Sequence, residues 1–91
     1  MPQFEKTLII TNKLGLHARA ATKLAQLCQK FDTKVTVALA DKQADASSVM
    51  ALMLLAGSQG KEVCVKTTGP DGEQALEEIC QLFTDKFEEG E

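Results

Sequence analysis

Asn12-Lys13-Leu14-Gly15-Leu16-His17-Ala18-Arg19-Ala20-Ala21 holds the chain's one histidine and marks the place where a strand gives way to a helix. Before it, Phe4 to Thr11 carries Leu8-Ile9-Ile10 with flanking threonines, which predicts a strand with Phe4, Leu8 and Ile10 on one face. Gly15 breaks that strand. After it, Ala21, Leu24, Ala25, Cys28 and Phe31 recur at helical spacing and predict a helix over Ala18 to Phe31. His17 therefore stands between a glycine turn and the first turn of a helix, with Arg19 two residues on. At such a corner, free backbone N–H groups and the positive end of the helix both face whatever the ring carries, an arrangement suited to a phosphoryl group.

The chain continues in the same alternation. Lys34 to Ala40 sets Val35, Val37 and Leu39 against Thr36 and Ala38, a half-buried strand by its period of two. Asp41-Lys42 reads as a tight connection into a short strand over Gln43 to Ala46. Ser47-Ser48 opens a short helix over Val49 to Ala56, closed by Gly57-Ser58-Gln59-Gly60. Lys61 to Thr68 is a further strand around Val63-Cys64-Val65. Asp71, with Gln74 three residues later, predicts a capping box for a last helix from Gly72 to about Phe87. The order is β-α-β-β-α-β-α, and each element has one apolar face. A two-layer α/β sandwich follows, with helices covering one side of a sheet.

At 91 residues the chain is expected to form one small domain. A domain of this size buries roughly 60–65% of its unfolded surface, enough for one core but not for a deep substrate cleft. Charge is unevenly placed. Through Ala40, Lys6, Lys13, Arg19, Lys23, Lys30 and Lys34 outnumber Glu5 and Asp32; from Asp71 onward eight carboxylates face only Lys86. Arg19, Lys23, Gln26 and Lys30 form a basic stripe that leads away from His17 and suits an acidic partner. A nucleic-acid binder would be basic overall with aromatic residues for stacking, and tryptophan and tyrosine are absent. Cys28, Cys64 and Cys80 are odd in number, lack a Cys-x-x-Cys pair and fall in apolar patterns, so buried reduced thiols are expected. One histidine and scattered cysteines supply no metal ligand set, and no cofactor is expected. No apolar signal segment or spanning stretch is visible, so a cytoplasmic protein with no membrane attachment is the expectation.

The chemistry open to His17 follows from the ring. Imidazole is substantially neutral near pH 7 and keeps one nitrogen lone pair for attack. If His17 caps the helix, the dipole favours a dianionic phosphoryl on the ring by about 1 kcal/mol. Arg19 adds a fixed positive charge, and the N–H groups of Ala18 and Arg19 can donate to phosphoryl oxygens. Phosphoryl transfer needs alignment and charge stabilisation more than covalent chemistry, so no deep pocket is required. Val49, Met50, Leu52, Met53, Leu54 and Leu55 make the short helix apolar nearly all round. One face must be core; the rest, with Leu16 and Ala18, is expected to form an exposed patch that receives partners, with Lys23 steering them. Met50 and Met53 suit a surface that accepts two different partners.

Gly15-Leu16-His17-Ala18-Arg19-Ala20 resembles the active-site signature of the histidine-containing phosphocarriers, the HPr family: Gly-Leu-His-x-Arg followed by Pro, Ala or Ser. The similarity runs over essentially the whole chain. It implies one phosphocarrier domain over residues 1–91, an open-faced sandwich with an antiparallel sheet in the order 1-4-2-3, and three helices on one face. It also implies phosphorylation of His17 at Nδ1, with Arg19 as electrostatic partner. Asn12 to Ala21 and Val49 to Ala56 are more similar to the nitrogen-related branch (NPr) than to the sugar-transport branch, whose members usually carry proline where Ala20 stands. That branch implies a phosphoenolpyruvate-driven Enzyme I paralogue as donor, an Enzyme IIA protein as acceptor, and a monomeric, stoichiometric carrier rather than a free-standing catalyst. Ser48 matches the regulatory serine of some members; capping of the short helix by Ser47 or Ser48 would by itself be worth about 1 kcal/mol. A phosphorylation-sensitive regulatory binding module and a sugar-transport HPr are the alternative readings.

Overall fold

The computed structural model describes residues 2–88. Strand β1 (Gln3–Ile9) runs into helix α1 (Ala18–Cys28), followed by β2 (Lys34–Leu39), β3 (Lys42–Asp45), α2 (Val49–Leu54), β4 (Glu62–Thr68) and α3 (Gly72–Thr84). A short 3-10 turn, Lys86–Glu88, follows α3. The strands form one antiparallel sheet in the order β1-β4-β2-β3, with Leu8 opposite Val63, Val37 opposite Val65 and Ala44 opposite Val37. This is the open-faced sandwich expected from the sequence.

Alternation decides which face is covered. Val35 and Val37 of β2, Ala44 of β3 and Val63 and Val65 of β4 are buried, and the intervening positions remain at least partly accessible. Leu24 of α1, Leu52 of α2 and Ile79 and Phe83 of α3 join the same core. Each such fully buried aliphatic or aromatic side chain contributes about 1.5–3 kcal/mol by leaving water.

Several ends differ from the sequence reading, each for a local reason. Helix α1 stops at Cys28, not Phe31: the N–H groups of Lys30 and Phe31 tighten onto the Leu27 and Cys28 carbonyls, 3.1 and 3.3 Å away, and satisfy the helix end. Helix α2 stops at Leu54 because Ala56 turns to φ 56°. Helix α3 stops at Thr84. Lys86 and Phe87 both take positive φ, and this reversal drops the Phe87 ring into the core beside Phe83, 4.8 Å between centroids. The strands also shorten or shift by a residue or two: β1 ends at Ile9, β2 at Leu39, β3 is Lys42–Asp45 and β4 begins at Glu62.

The expected capping box does not form. Asp71 has backbone angles of −96° and 15°, and its side chain makes no bond to its own helix. Instead its Oδ2 accepts the Asp32 backbone N–H at 2.7 Å, and Asp71 N–H donates back to the Asp32 carbonyl at 3.2 Å. A carboxylate offered a well-placed donor across the fold has left the local one. The cysteines are free thiols, but only Cys28 is fully buried; Cys64 and Cys80 are half-buried. Burial, with the nearby Asp45 charge, pushes the Cys28 thiol up to about 12 and leaves it protonated and inert.

Candidate functional site

The strand-to-helix corner is built from backbone bonds that converge on Gly15. Asn12 is fully buried, and its Nδ2 donates to the Gly15 carbonyl at 2.8 Å. The Gly15 N–H returns to the Asn12 carbonyl at 3.2 Å. Gly15 itself takes φ +67°, and a Cβ there would lie 2.3 Å from the Gly57 carbonyl oxygen. Only glycine lets these two loops approach so closely. The next N–H, that of Leu16, donates to the same Gly57 carbonyl at 2.8 Å. Outside this seam, Gln59 Nε2 donates to the Thr11 carbonyl at 3.2 Å, and the Gly60 N–H to the Ile10 carbonyl at 2.8 Å. The loop after α2 therefore braces the loop before α1.

His17 follows as the N-cap of α1. Its backbone is extended, its carbonyl accepts the Ala21 N–H at 2.9 Å, and its Nδ1 accepts the Ala20 N–H at 3.1 Å. A neutral ring that accepts at Nδ1 carries its proton at Nε2. The lone pair of Nδ1 thus faces the helix end, where the first N–H groups have no partner within the helix. Ala18 and Arg19, which carry two of those groups, are exposed, and Lys23 one turn further is half-buried. The His17 ring is itself half-buried, so it is held on one side and accessible on the other.

Helix α2 packs against α1 and leads through Leu55 and Ala56 into the Gly57 contact. Met50 is 72% exposed and Leu54 71%; with Val49 and Met53 they line one shallow apolar groove. Of the residues expected in an exposed patch, those on α2 do reach the surface, and Leu16 does not. Leu16 is only 4% exposed and does not belong to the surface, because the turn at Gly15 sends its side chain inward against Gly57 and Ile10. Leu14, two residues earlier, is 66% exposed. The sequence reading missed Leu54 as well, since an all-apolar helix does not say which positions face out.

Asn12 and Gly57 are the other omissions. Asn12 carries no sequence signal of its role, and Gly57 reads only as a helix stop. A polar residue in front of a glycine turn is a weak signal for a loop brace. Of the two serines that could cap α2, Ser48 does so, its Oγ accepting the Ala51 N–H at 3.2 Å. Ser47 instead serves Asp45: its N–H and Oγ donate to Oδ1 at 2.9 and 2.7 Å and hold that carboxyl below its usual range.

A family model described as the PTS HPr component phosphorylation site matches residues 4–85. The phosphocarrier protein NPr of Shewanella violacea is 45% identical over 89 residues, 98% of each chain. The phosphocarrier protein HPr of Xylella fastidiosa is 44% identical over 85 residues, 93% of this chain and 96% of its own. Among solved structures, HPr from Thermoanaerobacter tengcongensis superposes with a TM-score of 0.90 at 38% identity, covering 94% of this chain and 97% of that one. With the motif set on the same β-α corner and the sheet in the same order as expected, the chain belongs to the HPr family, the histidine-containing phosphocarriers of the phosphotransferase system.

Proposed function

We propose that His17 accepts a phosphoryl group at Nδ1 from a phosphorylated Enzyme I-type donor and passes it to an Enzyme IIA-type acceptor of the nitrogen-related branch. The observation that carries this reading is the aim of Nδ1 at the open N-terminus of α1. In acceptance, the Nδ1 lone pair attacks phosphorus as the donor's bond to phosphorus breaks and its electron pair returns to the donor. The proton at Nε2 does not move. The dianion then lies at the end of the helix, where the Ala18 and Arg19 N–H groups and the Arg19 guanidinium offset its charge. The carrier is read as a cytoplasmic monomer that needs no cofactor.

The nitrogen branch is supported by the motifs over Asn12 to Ala21 and Val49 to Ala56 and by the NPr relative. The HPr relative at nearly the same identity favours sugar transport as a second reading. Ser48 is the candidate for regulation by phosphorylation; charge placed there would sit beside the apolar groove and weaken docking. Incubation with phosphoenolpyruvate and a nitrogen-type Enzyme I, followed by either type of Enzyme IIA, tests the reading. An acid-labile phosphate that moves preferentially to the nitrogen-type acceptor is expected; no phosphate would rule out the carrier, and preference for the sugar-type acceptor would reassign the branch.

Arg19→Ala should fold normally, because the side chain is exposed, and slow transfer about three- to tenfold. Rapid-quench rates with both partners check this, and unchanged rates would reduce Arg19 to a surface charge. Met50→Glu should weaken binding to donor and acceptor about tenfold, since it places a charge in the middle of the α2 groove without touching the core. Titration of isotope-labelled protein with each partner measures it. Amide shifts confined to α3 or to the open sheet face would overturn this docking surface.

A further inference from the structure

The Ala20 N–H lies 3.1 Å from Nδ1 of His17, the nitrogen assigned above as the phosphoryl acceptor. This bond depends on the residue type at position 20. Ala20 is the third residue of α1, so its N–H has no carbonyl partner within the helix and is free to serve the cap. Any residue except proline supplies it.

We propose that the Ala20 backbone N–H is a positioning group for phosphoryl acceptance, fixing the His17 tautomer before transfer and moving to a phosphoryl oxygen after it. The inference deepens the proposed function and rests on it for the second half only. In the resting protein, donation into the Nδ1 lone pair disfavours the tautomer with its proton at Nδ1, in which no lone pair is left to attack. The ring is also held so that this lone pair meets the Ala20 N–H at the helix end. In the step itself, the new Nδ1–P bond uses the lone pair that the N–H had occupied. The N–H must then find another acceptor, and the oxygens of the incoming group are the nearest anionic ones, arriving on the atom it has just left. No proton changes place: Nε2 keeps its own, and Ala20 keeps the amide proton. The donor recovers the electron pair of its broken bond to phosphorus. A hydrogen bond to a neutral nitrogen is thereby exchanged for one to a dianion, which is the stronger kind.

Ala20→Pro removes this donor, and because Ala20 is fully buried it also adds ring atoms to the core. The first turn of a helix tolerates proline because no intrahelical bond is lost there. Nitrogen-15 spectra of the His17 ring provide a readout that a merely structural role would not move. In the parent protein at a pH where the ring is neutral, Nδ1 should resonate as an acceptor and Nε2 as a protonated nitrogen. In Ala20→Pro the two signals should move toward each other as the tautomers mix. Ala20→Gly, which keeps the N–H, should restore the parent pattern. The phosphorylated proline variant should lose its phosphate about tenfold faster than the parent, corresponding to one charge-assisted hydrogen bond.

Unchanged ring spectra and unchanged phosphate lifetime in folded Ala20→Pro would overturn the proposal. If that variant does not fold, the parent protein decides: a protonated Nδ1 at rest, or an Ala20 amide proton that does not shift on phosphorylation, refutes it equally. Failure of the parent to take phosphate on His17 would refute the proposed function instead, and would leave the resting tautomer as a separate measurement.

Discussion

His17→Ala is expected to abolish phosphoryl acceptance outright while leaving a folded chain. In the proposed transfer the ring supplies the attacking atom, and the chain contains no second imidazole to replace it. The cost in stability is larger than a surface position would imply, because His17 is the N-cap of α1 and its Nδ1 satisfies the Ala20 N–H. Loss of such a cap costs about 1 kcal/mol, against a total of about 5–15 kcal/mol for a domain, so the variant remains folded. His17→Asn separates the two roles. Asparagine is a good capping residue but no phosphoryl acceptor at neutral pH, so it should recover the lost stability and none of the acceptance. Labelling with phosphoenolpyruvate and Enzyme I, read beside thermal unfolding, measures both quantities on the same samples. Stoichiometric labelling of either variant at another residue would remove His17 as the nucleophile.

The element order and the sheet faces were legible because they depend on periodicity. Val35 and Val37 alternate with polar or small neighbours, and Leu24, Ala25 and Cys28 recur along one side of α1, so solvent alone decides which way each element turns. The position of His17 at a helix start was legible for a similar reason, since Gly15 ends one period and Ala21 begins another. What failed was everything decided by a partner distant in sequence. Asp71 left its own helix for the Asp32 N–H, a donor 39 residues away. Leu16 went inward because Gly57, far along the chain, binds its N–H and has no side chain to crowd the space that Leu16 enters. Phe87 is buried through two positive-φ residues that no apolar pattern announces. In the apolar α2 every position satisfies the requirements of a core, and packing against α1 and the sheet chose Leu52 over Met50 and Leu54.

Gly15→Ala should damage both stability and transfer more than any other single methyl added to the chain near the site. Two costs combine. The left-handed φ of +67° disfavours a side chain by about 1–2 kcal/mol. The added Cβ would also sit 2.3 Å from the Gly57 carbonyl oxygen and 2.9 Å from Ser58 Cα, and both obstacles are backbone. Neither loop can yield alone, because Leu16 N–H is bonded to that same Gly57 carbonyl and Asn12 Nδ2 to the Gly15 carbonyl. The seam must open, for a loss of about 3 kcal/mol or more and a fall in midpoint temperature above about 10 °C. Gly60→Ala provides the comparison in the facing loop: its φ is +90°, but nothing lies within 4 Å of a Cβ, so conformational strain is the whole cost and the fall should be less than half as large. The effect on transfer follows from the same opening. His17 is the second residue after Gly15, and a displacement of about 1 Å in a reacting group can slow transfer about 100-fold. Thermal unfolding of both variants, with phosphoryl acceptance measured well below the midpoint of each, checks the argument. A Gly15→Ala protein as stable as Gly60→Ala, or one that accepts phosphate at the parent rate, would show that the two loops are not locked together and that His17 is placed by α1 alone.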